Sequence, residues 1–300
     1  MFEGKTVIAY SIGFYYEAVK EAVKRLFKID YLCDKKWDDS DIDSYDGIPI
    51  IRRKELGSLT DFVLVVFTCN EPLKQELIKE FSGKGYEYSF AMDLLGARTV
   101  TGKEIREEGQ DGVCKIGTNT VYYDETLPDN VTIRFTGFNG EVVIGSNLAT
   151  ENLCLILGNT GKCTIGNNVR LIGLTANVAG ATFSIGDDCL FAHDTEARTH
   201  DSHFIFDKTT HKRINYPKDV IIGPQVWVAA GARLLPGANI GAGSIVGANA
   251  VTSSQFGDHV IIAGNPAKVI RENIIWSKDN SQYADWDCFE QCISDDALKY

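Results

Sequence analysis

The chain has 300 residues, a hydrophobic fraction of 44% and a formal net charge of -11. This length leaves room for two domains, and the hydrophobic fraction is ordinary for a soluble globular protein. The negative charge excludes a general nucleic-acid binder, which needs a basic face for the phosphate backbone, but it is compatible with a local basic patch for a phosphate-bearing cofactor.

The first residues, Met1–Lys5, lack the organisation of a signal peptide, and no apolar run approaches the length of a membrane span. We therefore expect a cytoplasmic protein without a membrane segment. The eight cysteines are scattered and form no CxxC pair. In a reducing compartment this pattern predicts reduced, mostly buried thiols and no metal site.

Predicted strands and helices alternate in the first part of the chain, residues 1–111. Five segments carry these signals: strands at Lys5–Tyr10, Ile29–Leu32 and Asp61–Phe67, and helices at Tyr16–Phe27 and Glu71–Phe81. The succession predicts a small α/β, Rossmann-like domain with parallel strands. Only Gly13 is available in the turn after the first strand, so the glycine-rich fingerprint of a dinucleotide site is absent. We expect a scaffold or acceptor-sugar role for this domain and no NAD.

From about Gly112 the helical periodicity disappears and an apolar period of six residues emerges. The positions are Ile222, Val228, Leu234, Ile240 and Val246, continued by Thr252. Such a repeat indicates a solenoid in which each hexad forms one face of a triangular coil and its apolar residue points inward. Earlier coils are looser, with an Ile-Gly pair recurring at Ile144, Ile165 and Ile185, and Ile116-Gly117 is expected to open the first coil. We predict a left-handed parallel β-helix over residues 112–272, because coincidental spacing in a β-sandwich would not give five aliphatic positions in succession.

The period is interrupted by a predicted extended loop, residues 192–220. It contains four of the five histidines: His193, His200, His203 and His211. Long excursions from a regular solenoid cost entropy and are often functional. The tail, residues 273–300, contains Trp276 and is predicted to form a short capping or docking helix.

Three segments resemble the hexapeptide acyltransferases, and above all the O-acetyltransferases that act on capsular or lipopolysaccharide sugars. They are Asp201–Asp207 (DSHFIFD) with Ile214-Asn215, Ile221–Val228 (IIGPQVWV) and Ala263–Arg271 (AGNPAKVIR). The likeness covers about residues 112–275, and its repeat, loop and GNPAK segment occur in the family's order. It implies a homotrimer whose active sites lie between neighbouring subunits, with acetyl-CoA as co-substrate, a sugar or polysaccharide as acceptor and no metal.

The resemblance also assigns residues to the site. The family's catalytic histidine falls on His203, and its site tryptophan falls on Trp227, which follows 24 residues later. The cofactor-contacting positions fall on six residues: Ala230, Ala248, Ser253, Ser254, Lys268 and Arg271. Many members carry a lysine where this chain has Ser254, which leaves Lys268 and Arg271 to supply positive charge for the phosphates of CoA.

The chemistry explains why a histidine is needed. A sugar hydroxyl is a poor nucleophile at neutral pH, and an imidazole can take its proton as the oxygen attacks the thioester carbonyl. The oxyanion that forms needs N–H donors from the coil backbone or the indole of Trp227. His200 is the rival base, and Asp201 or Asp207 could orient the imidazole; His193 and His211 are expected to be structural or exposed.

Three other functions stay open at this stage. The acceptor could be an antibiotic or another small xenobiotic. A zinc enzyme of the same solenoid fold could use His193, His200 and His203, although these crowd into one loop. A non-catalytic sugar-binding or scaffold protein would not need the His, Trp and Lys constellation.

Overall fold

The computed structural model describes residues 2–124 and 126–278, and the chain divides into two compact units, Met1–Ala97 and Arg98–Tyr300. The domain boundaries predicted from the sequence, 1–111, 112–272 and 273–300, stay a prediction. Residues 273–278 form no helix, and the other residues of the predicted helical tail, 279–300, lie outside the described ones.

The first unit contains a parallel four-stranded sheet. Its elements are β1 (Thr6–Tyr10), α1 (Phe14–Lys24), β2 (Tyr31–Cys33), the hairpin β3 (Ser44–Tyr45) and β4 (Ile48–Pro49), β5 (Phe62–Val66), α2 (Glu71–Lys84), β6 (Glu87–Phe90), α3 (Ala91–Leu94) and two 3-10 turns at Lys35–Trp37 and Arg53–Ser58. The sheet order is β2-β1-β5-β6. The predicted alternation of strands and helices is present, because β1 and β5 are apolar enough to be buried between their neighbours. The classification of this unit as Rossmann-like stays a prediction.

The second unit is a coil in which the chain passes repeatedly through three sheets. Sheet I contains β7 (Thr99–Thr101), β10 (Val131–Phe135), β13 (Leu153–Leu157), β16 (Leu174–Val178), β19 (Thr195–Arg198), β22 (Arg233–Leu234) and β25 (Val251–Thr252). Sheet II contains β8 (Val113–Ile116), β9 (Asn119–Tyr122), β11 (Glu141–Ile144), β14 (Lys162–Ile165), β17 (Thr182–Ile185), β20 (Val220–Ile222), β23 (Asn239–Ile240) and β26 (Gln255–Phe256). Sheet III contains β12 (Ala149–Thr150), β15 (Arg170–Leu171), β18 (Leu190–Phe191), β21 (Trp227–Val228), β24 (Ile245–Val246), β27 (Ile261–Gly264) and β28 (Ala267–Arg271). A helix, α4 (Gly102–Glu108), follows β7.

The predicted hexad positions form the core of this coil. All six are nearly inaccessible: Ile222, Val228, Leu234, Ile240, Val246 and Thr252. The looser Ile-Gly coils join the same stack, because Ile144 pairs with Ile165, Ile165 with Ile185 and Ile185 with Ile222 in sheet II. Burial of one such aliphatic side chain stabilises the fold by about 1.5–3 kcal/mol. The inward residue of each hexad is therefore what holds successive coils together.

Two details differ from the sequence prediction. Ile116-Gly117 does not open a coil, because β8 pairs antiparallel with β9, and the parallel ladder of sheet II begins with β9 and β11. The extended loop is shorter than 192–220, because β19 continues sheet I. The inward residues of β19 are Thr195 and Ala197, which are buried but lack the branched aliphatic side chain of the other hexads, so the repeat is not recognisable there. The excursion is confined to residues 199–219.

Candidate active site

The loop of residues 199–219 leaves the coil at the corner where sheet I passes into sheet II. It contains a short hairpin, in which Phe206 bridges to Arg213. Asp207 closes its turn by accepting hydrogen bonds from Thr209 N (3.0 Å) and from Thr210 N (2.6 Å). These bonds, that from the Thr210 backbone first, lower the pKa of Asp207. The carboxylate of Asp207 therefore serves the turn, and the structure gives it no contact with His203.

Arg213 holds the two sides of the loop together. Its guanidinium lies 4.4 Å from the ring centroid of Phe204 and 4.9 Å from that of Tyr216. Arg213 also donates from Nη2 to the backbone oxygen of Asn215 at 2.9 Å. A guanidinium between two aromatic faces gains cation–π attraction on both sides. The loop is therefore held together by contacts of its own, although most of its residues are exposed.

Asn215 connects the residues on either side of the candidate base. Its Nδ2 donates to Asp201 Oδ2 (3.0 Å) and to the backbone oxygen of His203 (2.7 Å). Its Oδ1 accepts from the backbone N–H of Ile205 at 2.7 Å. The side chain of Asn215 therefore fixes the backbone of residues 203 and 205, a role that the sequence analysis did not assign to it. The carboxylate of Asp201 accepts its hydrogen bond from Asn215, and no hydrogen bond joins it to the imidazole of His203.

The two rival histidines differ in how their rings are used. His200 is half-buried, its Nδ1 accepts from Ser202 N (3.0 Å), and its Nε2 lies 3.0 Å from Asn177 Oδ1. Since Nδ1 accepts, the proton is on Nε2, which donates to the amide oxygen. Burial, and then the positive charge of Arg198, lower the pKa of His200. His203 is exposed, and no hydrogen bond joins its imidazole to residues 2–124 or 126–278.

Trp227 lies on the outer surface of sheet III. Its backbone pairs with Leu190 in β18 and Ile245 in β24, and its side chain is 36% exposed. The indole packs against that of Trp276, with ring centroids 6.0 Å apart and planes tilted by 44°. Trp276 is buried and donates from Nε1 to the backbone oxygen of Gln225 at 2.8 Å. Trp227 is thus backed by a residue for which the sequence gave no site signal.

A groove runs along the corner where sheet III passes into sheet I. Its volume is about 810 Å³, and it is lined by Ala230, Ala248, His193, Asn249, Arg233 and Glu196, among others. The structure therefore brings together two of the six predicted cofactor positions, Ala230 and Ala248. Their small side chains leave the groove open over two coils.

The other predicted cofactor positions lie elsewhere in the chain. Ser253 and Ser254 are exposed between β25 and β26, at the same sheet I to sheet II corner as the His203 loop. Lys268 and Arg271 are exposed on β28, which folds back antiparallel on β27 at the end of sheet III. His203, Trp227 and the groove thus occupy different corners or faces of one coil, and a single chain does not assemble them.

The possible metal ligands and the buried thiols of the described residues bear on other kinds of chemistry. No group of three His, Cys, Asp or Glu side chains there is arranged to hold a metal ion. Cys163 and Cys189 are buried in the coil, and burial raises the pKa of both thiols to about 12, which keeps them protonated and poor nucleophiles. A separate question is whether the chain crosses a membrane: no helix in the described ranges is long and apolar enough to span a bilayer.

Comparison with known proteins places this coil in a family. Residues 219–254 match the family described as Bacterial transferase hexapeptide (six repeats). The polysialic acid O-acetyltransferase of Neisseria meningitidis is 32% identical over 186 residues, which are 53% of this chain and 86% of that enzyme. The chain belongs to the hexapeptide-repeat acetyltransferases. The predicted family is confirmed, and membership implies that the coil is left-handed.

Two further relatives of this hexapeptide-repeat protein are each similar over about half of the chain. The polysialic acid O-acetyltransferase of Escherichia coli O1:K1 / APEC is 34% identical over 134 residues, which are 45% of this chain and 41% of that enzyme, so the chain spans less than half of that relative. The putative lipopolysaccharide biosynthesis O-acetyl transferase WbbJ of Escherichia coli K12 is 29% identical over 163 residues, covering 49% of this chain and 83% of that protein.

Proposed function

We propose that this protein transfers an acetyl group from acetyl-CoA to a hydroxyl of a sugar, in a capsular or lipopolysaccharide glycan, with His203 as the general base. The observation that carries the assignment of the base is the difference between the two histidines. Both ring nitrogens of His200 are engaged within the protein, whereas the exposed imidazole of His203 has no partner in the described residues. A general base needs a free nitrogen lone pair within reach of its substrate.

In the proposed reaction His203 takes the proton of the sugar hydroxyl as its oxygen attacks the carbonyl carbon of the thioester. The tetrahedral intermediate then collapses, the carbon–sulfur bond breaks, and the proton passes from the imidazolium to the sulfur of CoA. The products are the acetylated sugar and free CoA. Asn215 keeps the backbone of His203 in place through its bond to the His203 oxygen, and Trp227 presents its indole to the reacting thioester.

We propose that CoA occupies the groove that contains Ala230 and Ala248, with Lys268 and Arg271 near its phosphates. The groove is open over two coils, and the small residues Ala230 and Ala248 at successive coil corners let a cofactor chain approach the backbone. The two cations are exposed and carry the positive charge that phosphate oxygens need.

The complete site is proposed to form between subunits of a homotrimer in the cytoplasm. Two features support this. The His203 loop and the groove lie at different corners of one coil, so a neighbouring chain can supply what one chain leaves apart. The loop also exposes five apolar side chains, each at least 49% accessible: Phe204, Ile205, Phe206, Ile214 and Tyr216. Such clusters mark interaction surfaces, and cyclic symmetry would give three equivalent sites.

The proposal is tested by replacing the base and its neighbour. His203→Ala should retain the fold and CoA binding while kcat falls by about 100- to 10,000-fold. His200→Ala is the matched control, because it lies in the same loop, and it should lower thermal stability more than turnover. Release of CoA is followed against nucleotide sugars, oligosaccharides and small hydroxylated compounds. If His200→Ala abolishes turnover and His203→Ala retains it, the base is wrongly assigned; if neither variant matters, the mechanism is wrong.

Light scattering tests the assembly. A trimer at micromolar concentration is expected, and a fully active monomer would refute the shared site.

A further inference from the structure

The segment that follows the last strand, residues 272–278, is here called the C-terminal strap. It runs back along the corner where sheet II passes into sheet III. Its contacts are with residues of that corner in successively earlier coils: Ile274 with His259 (3.1 and 3.2 Å), Trp276 with Gln225 (2.8 Å), and Lys278 with Asn168 (2.9 Å) and Asp188 (3.9 Å). Three residues of the strap therefore bind it to four coils.

The middle tie lies beside the candidate site. Gln225 has a left-handed backbone with φ of 53°, and its N–H donates to the Asp187 oxygen of the previous coil at 2.8 Å. Its carbonyl oxygen accepts from Nε1 of Trp276. Because Gln225 is only two residues before Trp227 and is buried itself, this bond fixes Trp276 relative to the strand that carries Trp227.

The indole of Trp227 needs such support. The ladder of sheet III fixes its backbone, but the side chain lies on the outer surface, where its two side-chain torsions are free unless something packs against the ring. Within the described residues its one aromatic partner is Trp276, with ring centroids 6.0 Å apart and planes tilted by 44°. An aromatic pair of this kind has a preferred geometry beyond simple burial.

We propose that Trp276 is a positioning residue that fixes the indole of Trp227 for acetyl transfer. The inference rests on the proposed function, because Trp227 acts on the thioester only if acetyl-CoA is the donor. The strap thus contributes to the active site without touching either substrate, and it gives the C-terminal segment a role beyond capping the last coil.

Kinetics test the proposal through a double-mutant cycle. Displacement of an aligned group by about 1 Å can cost on the order of 100-fold in rate, so we expect Trp276→Ala to lower kcat/KM for acetyl-CoA by about 10-fold in the native background. In the Trp227→Ala background the same change should be nearly silent. An equal loss in both backgrounds would overturn the proposal, because Trp276 would then act through the stability of the coil or another residue.

Fluorescence provides a readout that does not need turnover. The emission of Trp227 is obtained as the difference between proteins with and without it, in the presence and absence of Trp276. Without Trp276 this emission should shift to the red and become more accessible to acrylamide. An unchanged Trp227 spectrum would refute the positioning role even if the protein proves not to be an acetyltransferase; a changed spectrum without any acetyl transfer would instead count against the proposed function.

The first unit provides a matched control. Trp37 packs against Tyr45 at 5.6 Å with the same 44° tilt. Trp37→Phe should leave kcat/KM and the Trp227 difference spectrum unchanged. Trp276→Phe, which retains a ring but loses the bond to Gln225, should recover part of the activity lost in Trp276→Ala; failure to recover any would contradict a role for the ring contact.

Discussion

Asn215→Asp is the substitution that most directly tests how the loop holds the candidate base. The two side chains have nearly the same shape, but the donor Nδ2 is replaced by an oxygen. The hydrogen bonds to Asp201 Oδ2 and to the His203 backbone oxygen are then lost, and a second negative charge lies against Asp201. The bond from Ile205 N can persist, because an acceptor remains in the place of Oδ1.

The size of the effect follows from these contacts. A neutral hydrogen bond contributes about 0.5–1.5 kcal/mol and one to a charged group about 1.5–3 kcal/mol. Asn215 is partly exposed, so solvent replaces part of what is lost, and we take about 2 kcal/mol for the pair. At about 1.4 kcal/mol per factor of ten, kcat should fall by about 30-fold. This is a smaller loss than removal of the base itself, because the imidazole is still present but less often in place.

The assay is steady-state turnover of acetyl-CoA in the native protein and in the His203→Ala background. If Asn215 acts through His203, Asn215→Asp lowers kcat in the first and leaves the second unchanged. Asn130→Asp is the matched control, because Asn130 Nδ2 also donates to two carbonyl oxygens, those of residues 150 and 151 at 2.6 and 3.0 Å, far from the loop in sequence. The reasoning is refuted if the control variant loses as much activity, or if Asn215→Asp slows the protein that already lacks the imidazole.

Four other predictions concern residues elsewhere in the site and in the core. Lys268→Ala should raise the KM for acetyl-CoA and not that for the acceptor, since a lost charge-assisted hydrogen bond is worth roughly 1.5–3 kcal/mol; an unchanged KM for acetyl-CoA would remove this residue from the site. The folded-state pKa of His200 is lowered, so the unfolded chain binds its proton first as the pH falls below about 6.5, and stability is lost toward acid; His200→Gln should flatten this dependence in urea unfolding between about pH 7 and 5. Cys163 and Cys189, whose pKa is about 12, should escape iodoacetamide in the native protein and react after unfolding, as read by peptide mass spectrometry. Phe183→Ala, at a fully buried position, should lower the free energy of unfolding by about 3–5 kcal/mol, and a loss below 1 kcal/mol would contradict its place in the core.

The solenoid could be predicted where its inward residues are aliphatic and evenly spaced. From Ile222 to Thr252 the period of six is constant, and each position is buried. The preceding coil is harder to recognise, because Thr195 and Ala197 occupy the inward positions of β19 in place of a branched aliphatic residue. The sequence also does not distinguish the antiparallel hairpin of β8 and β9 from a coil, because an Ile-Gly pair can occur both at a coil corner and in a hairpin.

The candidate site could be predicted only as a set of residue types in order. The family pattern selected His203 and Trp227 and included Asn215, but it does not show that Asn215 supports the histidine or that Trp276 packs on the tryptophan. Asn215 meets His203 across 12 residues and Trp276 meets Gln225 across 51, and contacts at such separations leave no local pattern. The tail was predicted to be helical, whereas residues 273–278 form no helix, and Ile274, Trp276 and Lys278 instead make hydrogen bonds to the coil corner.

The ladder of sheet II passes across the base of the loop without interruption. Phe183 pairs with Val220 and Ile185 with Ile222, so the coil continues as if residues 199–219 were an appendage attached at one corner. Thr199 and Asp219 anchor the two ends to the neighbouring coils through hydrogen bonds with Ala179 and Thr182. Selection can therefore lengthen, shorten or replace the part between these anchors without altering the spacing of the inward side chains. Under the proposed function, a protein built in this way can acquire a new acceptor by exchanging one segment. Grafting residues 199–219 onto a coil of similar cross-section then becomes a practical route to changing which hydroxyl meets the proposed base.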